Sequence, residues 1–427
     1  MTVLALLGRW GPLPIHLLGM ALHIVSAVVL VRLCERTRWP LIAGLIFAVH
    51  PMASEVLGWC SALPDALAVA LGLSSTLFFG RNMPRALALL LLAGLSKETG
   101  VLIPLAFGLA GFLPKGWWRG WVCVVGIVLV LRTVVSTQMG SGWLQNIEQA
   151  PQAMGWSLGA LVWPVPLTAV RDLWVAPTGA VWLGLFVLML LVVKAWGNRM
   201  AWVGVGLVLA GPLVAIPVAL DGHLAAERYL YLSLVGFGVW ASACFQAPRP
   251  RWVAAVPVLA AVSVHFVRAP AWRDNVSLFS AAVSATPDSS YAWHFLGMSY
   301  GNEGQYAAAA GSFEQAILSG HPHPEDRFMR LRSLVEAGRG AEAVRWAEDG
   351  PQNNLTAQYI AWWARAALMV DDVPKAKKLL SMLSREGDFD GPYWVADFAR
   401  AVERRAAKLK ESGAPVSSIE NGPQTRP

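Results

Sequence analysis

Titratable side chains are scarce in the first 267 residues of this 427-residue chain, and those that interrupt apolar runs are the ones able to do chemistry. His50 stands before Pro51, and Glu55 follows shortly after. A proline removes a backbone donor and bends the chain, so both residues can face a cavity, where they would bind a substrate or orient a catalytic group. The plainer reading is a kinked helix end with both groups hydrated. Lys97 and Glu98 break another apolar run, which is costly unless they are paired or wet. Lys97 suits a phosphate and Glu98 a substrate hydroxyl, or the two pair in a turn. Glu227 and Arg228 precede Tyr229-Leu230-Tyr231. A guanidinium holds phosphate oxygens two at a time. Glu227 and Tyr231 then become substrate contacts, the alternative being an aromatic belt anchored at lipid headgroups.

Other charged positions read more plainly. Asp65 follows Pro64 at a helix start, where a carboxylate suits the positive dipole end. Asp221 and His223 are explained equally well by a solvated loop. Arg171-Asp172 reads as a surface pair, and Trp272-Arg273-Asp274 as a packed hinge. The cysteines at 34, 60, 123 and 244 show neither metal-ligand spacing nor a disulfide framework, and no cofactor is implied by any motif.

The elements that must carry these groups are apolar helices. With 56% hydrophobic and 14% charged residues, the chain is not an ordinary soluble domain. A membrane span takes about 20 apolar residues. About ten are expected: 14–31, 40–59, 61–80, 84–96, 99–114, 119–136, 177–195, 201–220, 229–246 and 251–267. The stretch 84–114 is long for one crossing and short for two, and two short crossings keep Lys115 and Arg119 with the other basic loops. The segment 150–170, with Trp163-Pro164 and Pro166, reads as re-entrant or interfacial. Arg32, Arg36 and Arg38, Arg81 and Arg85, Lys194 and Arg199, and Arg249 and Arg251 all fall in loops on one side, opposed only by Glu35. The positive-inside rule puts that side in the cytoplasm and the candidate site on the opposite face. The net charge of +7 sits largely in these loops and the soluble tail, so nucleic acid is not an expected partner. The start, MTVLALLGRWGPLP, lacks the basic first region of a signal peptide.

After Val267 the composition changes. Trp293, Leu296, Gly297, Tyr300, Ala309, Phe313 and Ala316 follow tetratricopeptide spacing. Gly338-Arg339 and Ala343 repeat Gly304-Gln305 and Ala309, and a fainter third unit surrounds Val373 and Ala376. The expected architecture is all-α: a polytopic membrane domain over 1–267, a connector over 268–288, a tetratricopeptide helical solenoid over 289–404 and a disordered tail over 405–427.

Four stretches in order, FAVHPMASEVLGW (47–59), LSKETGVLIP (95–104), AAERYLYLSLVGF (225–237) and AWRDNVSLF (271–279), with a looser LVWPVPLT (161–168), resemble the transmembrane-and-tetratricopeptide-repeat protein O-mannosyltransferases of the GT-C superfamily. The resemblance implies a polyprenyl-phosphate sugar as donor, mannose or another hexose as the sugar, and protein hydroxyls as acceptors on the non-cytoplasmic side of a bacterial inner membrane. Lys97 and Arg228 would bind the donor phosphate, Glu98, Glu227 and Tyr231 the substrates, and Glu55 and His50 would be the catalytic candidates. The repeats would bind protein partners from the periplasm.

The chain departs from the family at Ala53, where a second histidine is usual, at Leu63-Pro64-Asp65, where an arginine often precedes the aspartate, and at Val170, where an acidic residue is usual. Family members carry their catalytic carboxylate on a large outer loop near the start, and Met1 falls after the equivalent point. The expectation is therefore an upstream start or an inactive copy. The rival reading is a membrane-anchored scaffold that recruits partners through its repeats. A transporter is disfavoured because no inverted repeat of broken helices is evident.

Overall fold

The computed structural model describes residues 11–135, 142–164, 168–172, 178–221, 224–245, 255–350, 355–385 and most of 400–408. Among them the chain is helical throughout, apart from one two-stranded ribbon. It divides into two compact units, Met1–Ala292 and Trp293–Pro427. The connector expected over 268–288 packs with the first unit, and the division falls inside a helix.

The first unit runs through α1 (Leu13–Leu33), α2 (Pro40–Val49), α3 (Ser54–Gly58), α4 (Leu63–Phe78), α5 (Met83–Ser96), α6 (Leu102–Leu109), α7 (Trp117–Val135), α8 (Ala150–Ala160), α9 (Thr178–Ala195), α10 (Arg199–Asp221), α11 (Tyr231–Cys244), α12 (Ala255–Arg268) and α13 (Asn275–Ala285). Strands β1 (Arg171–Asp172) and β2 (Leu224–Ala225) pair antiparallel. Among the described residues four helices are long and apolar enough to cross a membrane: Leu13–Leu33, Cys60–Phe78, Arg199–Pro217 and Ala255–Trp272. A fifth arises if Pro40–Val49 and Pro51–Gly58 count as one span bent by 52°. This is a membrane-associated chain, and among the described residues several of the other apolar runs, such as 84–96 and 99–114, fold as shorter helices.

The breaks have local causes. Pro51 pushes the residue before it out of the helical region, and His50 is extended at φ −65°, ψ 129°. Lys97 is extended at φ −158°, ψ 141° and separates α5 from the helical turn leading into α6. α5 and α6 run out and back: Lys97 at their junction meets Asp65 at the start of α4, while Phe112 and Leu113 beyond α6 share a recess with Arg32 and Arg81. The paired short helices expected over 84–114 are therefore present. α8 has 11 residues, about 17 Å at 1.5 Å per residue, too short to cross a core of about 30 Å.

Glycine lets α10 and α11 touch through their backbones. A Cβ on Gly236 would lie 2.5 Å from the Val208 nitrogen and 2.6 Å from the Gly204 carbonyl oxygen. The Ser233 hydroxyl donates to the Val208 carbonyl at 2.8 Å. This contact fixes the start of α11, and with it Arg228 to Tyr231. The core joins Leu30, Phe47, Leu73, Phe107, Leu191 and Tyr231, whereas α12 buries no side chain.

The second unit contains most of α14 (Ser290–Asn302), then α15 (Tyr306–Leu318), α16 (Asp326–Glu336), α17 (Gly340–Glu348), α18 (Ala357–Met369) and α19 (Val373–Arg385). Three helix pairs share one turn. Gly304, Gly338 and Asp371 all take positive φ, at 74°, 77° and 60°. The next residue donates its N–H across the turn each time: Gln305 to Tyr300, Arg339 to Leu334 and Asp372 to Ala367, at 2.8, 2.9 and 2.9 Å. This is the left-handed stop that frees a helix C-terminus to reverse. Ala309, Ala343 and Ala376 then occupy equivalent, fully buried positions. Gly297 receives the Phe313 ring, where a Cβ would come within 2.9 Å.

Candidate functional site

The singled-out charges of the first unit converge, in pairings that chain order does not suggest. Glu55, in α3, is fully buried; its Oε1 accepts from Arg228 Nη1 at 2.6 Å and its Oε2 from the Arg228 backbone N–H at 2.9 Å. The guanidinium lies over Trp59 and Tyr229, 4.9 and 5.1 Å from their ring centres. Lys97 bonds Asp65 Oδ1 at 2.5 Å and stands 5.7 Å from the centre of the same Tyr229 ring. Glu227 is held by Arg268, whose Nη1 and Nη2 reach its two oxygens at 2.8 and 3.3 Å; Nη1 also donates to Ser54 Oγ. Glu98 pairs with Arg132. Buried charges are tolerated when paired in this way.

Asp65, Lys97, Glu98, Arg228, Tyr229 and Tyr231 line one recess, closed behind by Gly211 and Val214. Its volume is about 40 Å³, room for about three waters at roughly 10–15 Å³ each. A phosphate group is of that scale and a hexose is not. The recess thus brings together two cations, both near the Tyr229 ring, with the carboxylates of Asp65 and Glu98.

Several expectations change. Asp65 does stand in the first turn of α4, but it makes no capping bond there and pairs with Lys97. Lys97 and Glu98 do not pair with each other, since the extended Lys97 backbone sends them to different helices. Glu227, expected as a substrate contact, does not line the recess, and Arg268 bonds both of its oxygens. His50 does not face the recess. Its Nδ1 accepts from the Met52 N–H and its Nε2 meets the Leu161 carbonyl at 3.1 Å, so it braces the bend at Pro51. Tyr231 gives its hydroxyl to His23 Nδ1 at 2.8 Å, and His23 Nε2 faces the Ala48 carbonyl. Only the ring of Tyr231 is left for a substrate. Glu55 is fully buried against Arg228, which bonds both of its oxygens, and it is not among the residues that line the recess.

Arg171 and Asp172 are buried rather than at the surface, 7% and 2% exposed. Arg171 lies over Trp156. Asp172 accepts from the Ser289 and Ser290 hydroxyls at 2.8 and 3.1 Å and from the Tyr291 N–H at 3.5 Å. Burial pushes its carboxyl above the ordinary value, and these donors pull it back. Trp272 packs on Gly58, where a Cβ would meet its ring at 2.5 Å, so it joins the hinge to α3. The neighbouring Asp274 caps α13 through the Ser277 N–H at 2.7 Å; that bond, then Arg273, lowers its carboxyl to about 2. His223 and the side chain of Asp221 lie outside the described residues.

Asp65, Arg132 and Arg268 are the partners that sequence reading missed. A signal existed for two of them. An ionisable group inside an apolar span needs a partner, and Asp65 and Lys97 are two such groups. Arg268 sits at the end of an apolar run opposite the basic loops, where the positive-inside rule expects no cation. No group of three or more metal-ligating side chains forms among the described residues. Comparison with protein-family models, curated proteins and solved structures finds no match.

Proposed function

We propose that this chain is a membrane glycosyltransferase that moves a hexose, mannose foremost, from a polyprenyl phosphate to a protein hydroxyl. The membrane is a bacterial inner membrane, and the site and the repeat solenoid face the periplasm. The observation that carries this reading is the meeting of Lys97 and Arg228 on one phosphate-sized recess, from segments that resemble the O-mannosyltransferase family. The donor phosphate takes Lys97 from Asp65, and the exposed edge of Arg228 neutralises its second oxygen. Asp65, released, becomes the carboxylate nearest the reacting centre and takes the acceptor's proton. The acceptor oxygen bonds the anomeric carbon with inversion, and the carbon–oxygen bond to phosphate breaks. The leaving polyprenyl phosphate keeps the electron pair beside its two cations.

A second reading is an inactive scaffold. It is favoured by the cation held at each of the four carboxylates Glu55, Asp65, Glu98 and Glu227, and by a groove in the second unit lined by Met298, Tyr306, Phe313, Met329 and Arg332 that suits a protein segment. The test uses the purified full chain and a radiolabelled polyprenyl-phosphate mannose. Donor retention by the wild type, lowered about tenfold or more by Lys97→Ala, supports the enzyme; transfer to protein lost in Asp65→Asn with retention kept supports Asp65 as base. A wild type that retains no donor would leave the scaffold reading alone.

A further inference from the structure

A second charged recess lies at the other end of the apolar helices. The C-terminal ends of α1, α4 and α6 meet the start of α10 there, around a cavity of about 290 Å³. Arg32, Arg36 and Arg81 line it with Glu35, above a floor that includes Phe107, Phe112 and Met200. Glu35 is taken by Arg32 at 2.9 Å. Arg36 and Arg81 make no side-chain hydrogen bond or ion pair among the described residues, and no carboxylate other than Glu35 lines the cavity. Two unneutralised guanidinium groups therefore stand over an aromatic and aliphatic floor, at the end where the apolar helices give way to basic loops.

We propose that this recess binds the phosphodiester headgroup of an anionic glycerophospholipid of the adjacent leaflet. A phosphate ester is what two guanidinium forks recognise, and basic recesses between membrane helices are suited to acidic headgroups. The apolar floor decides between the two sources of such an anion. A free phosphate gains nothing from Phe107, Phe112 and Met200, whereas the glycerol and first acyl carbons of a lipid cover them. The inference rests on the helices being membrane spans and is independent of the glycosyltransferase reading, because it uses none of that site's residues.

The test is native mass spectrometry of the purified full chain in detergent, titrated with dioleoyl-phosphatidylglycerol, dioleoyl-phosphatidylcholine or inorganic phosphate. Phosphatidylglycerol should remain bound in preference to phosphatidylcholine, and inorganic phosphate should not displace it. Arg36→Gln with Arg81→Gln should weaken phosphatidylglycerol about 30-fold, the equivalent of about 2 kcal/mol at roughly one per cation. The Arg36→Lys and Arg81→Lys pair, which keeps the charge, should retain most of the preference and guards against a glutamine variant that fails to fold. Equal retention of the two lipids by the wild type would overturn the proposal, as would an unchanged preference in a folded glutamine variant. Displacement by inorganic phosphate would overturn the lipid as the source of the anion.

Discussion

The Glu55–Arg228 pair lends itself to a double-mutant cycle, because the two residues are far apart in sequence and joined by two separable bonds. Arg228→Ala removes the guanidinium but leaves the backbone N–H on Oε2. Breaking a buried ion pair costs about 3–5 kcal/mol. The surviving backbone bond and the partial exposure of Arg228, 28% against 0% for Glu55, put the expected cost at the low end, about 3 kcal/mol. Glu55→Gln leaves a guanidinium that water can reach, so its cost is that of one charged hydrogen bond, about 1.5–3 kcal/mol. In the double variant a neutral amide faces only the backbone donor, and no charge is stranded. Its cost should fall short of the summed single costs by about 2 kcal/mol, in the range found for residues in contact. The assay is unfolding of the purified protein in mixed micelles, followed by tryptophan fluorescence as SDS is raised. Single variants that each cost under about 0.5 kcal/mol, or costs that add, would refute the view that this pair holds α3 to the start of α11.

Three further outcomes follow from the packing. Gly236→Ala should cost about 1–3 kcal/mol, because its Cβ meets backbone of α10 on two sides, while Gly206→Ala, with nothing within 4 Å, should be neutral or slightly stabilising in the same unfolding assay. Asp172→Ala removes the buried carboxylate to which the Ser289 and Ser290 hydroxyls donate and should cost about 1–3 kcal/mol, with Asp172→Asn milder because its amide oxygen still accepts; equal costs would remove the hydrogen bonds from the account. His323 is lowered from 6.5 first by burial and then by His294. Its folded form binds protons less readily than its unfolded form, so the stability it contributes is present above 6.5 and is lost as pH falls through the window below. The thermal stability of the second unit should fall as pH drops below 6.5, and His323→Gln should flatten that slope.

The turns of the second unit were the most legible part of this chain. Its helices pack mainly on sequence neighbours, so Gly304, Gly338, Ala309, Ala343 and Ala376 carry in their spacing both the turns and the close approaches that the structure contains. The break at Pro51 and the paired short helices around Lys97 were legible too. A proline and an isolated charge in an apolar run act on their own backbone or must be satisfied nearby. The length of the spans was less so, because apolar composition does not distinguish a full crossing from a short helix packed on others.

Pairing was decided by tertiary structure. The sequence alone shows that Glu55, Asp65, Lys97, Glu98, Glu227 and Arg228 each need a partner or water in an apolar setting. Which cation meets which carboxylate depends on helices brought together from distant parts of the chain, chiefly on the glycine contact between α10 and α11 that places Arg228 against Glu55. Neutralising a buried charge requires direct contact, so pairing follows spatial neighbours whatever their separation along the chain. For that reason most of the charged groups could be read from the sequence, while the pairing of Asp65 with Lys97 and of Arg268 with Glu227 came only with the fold.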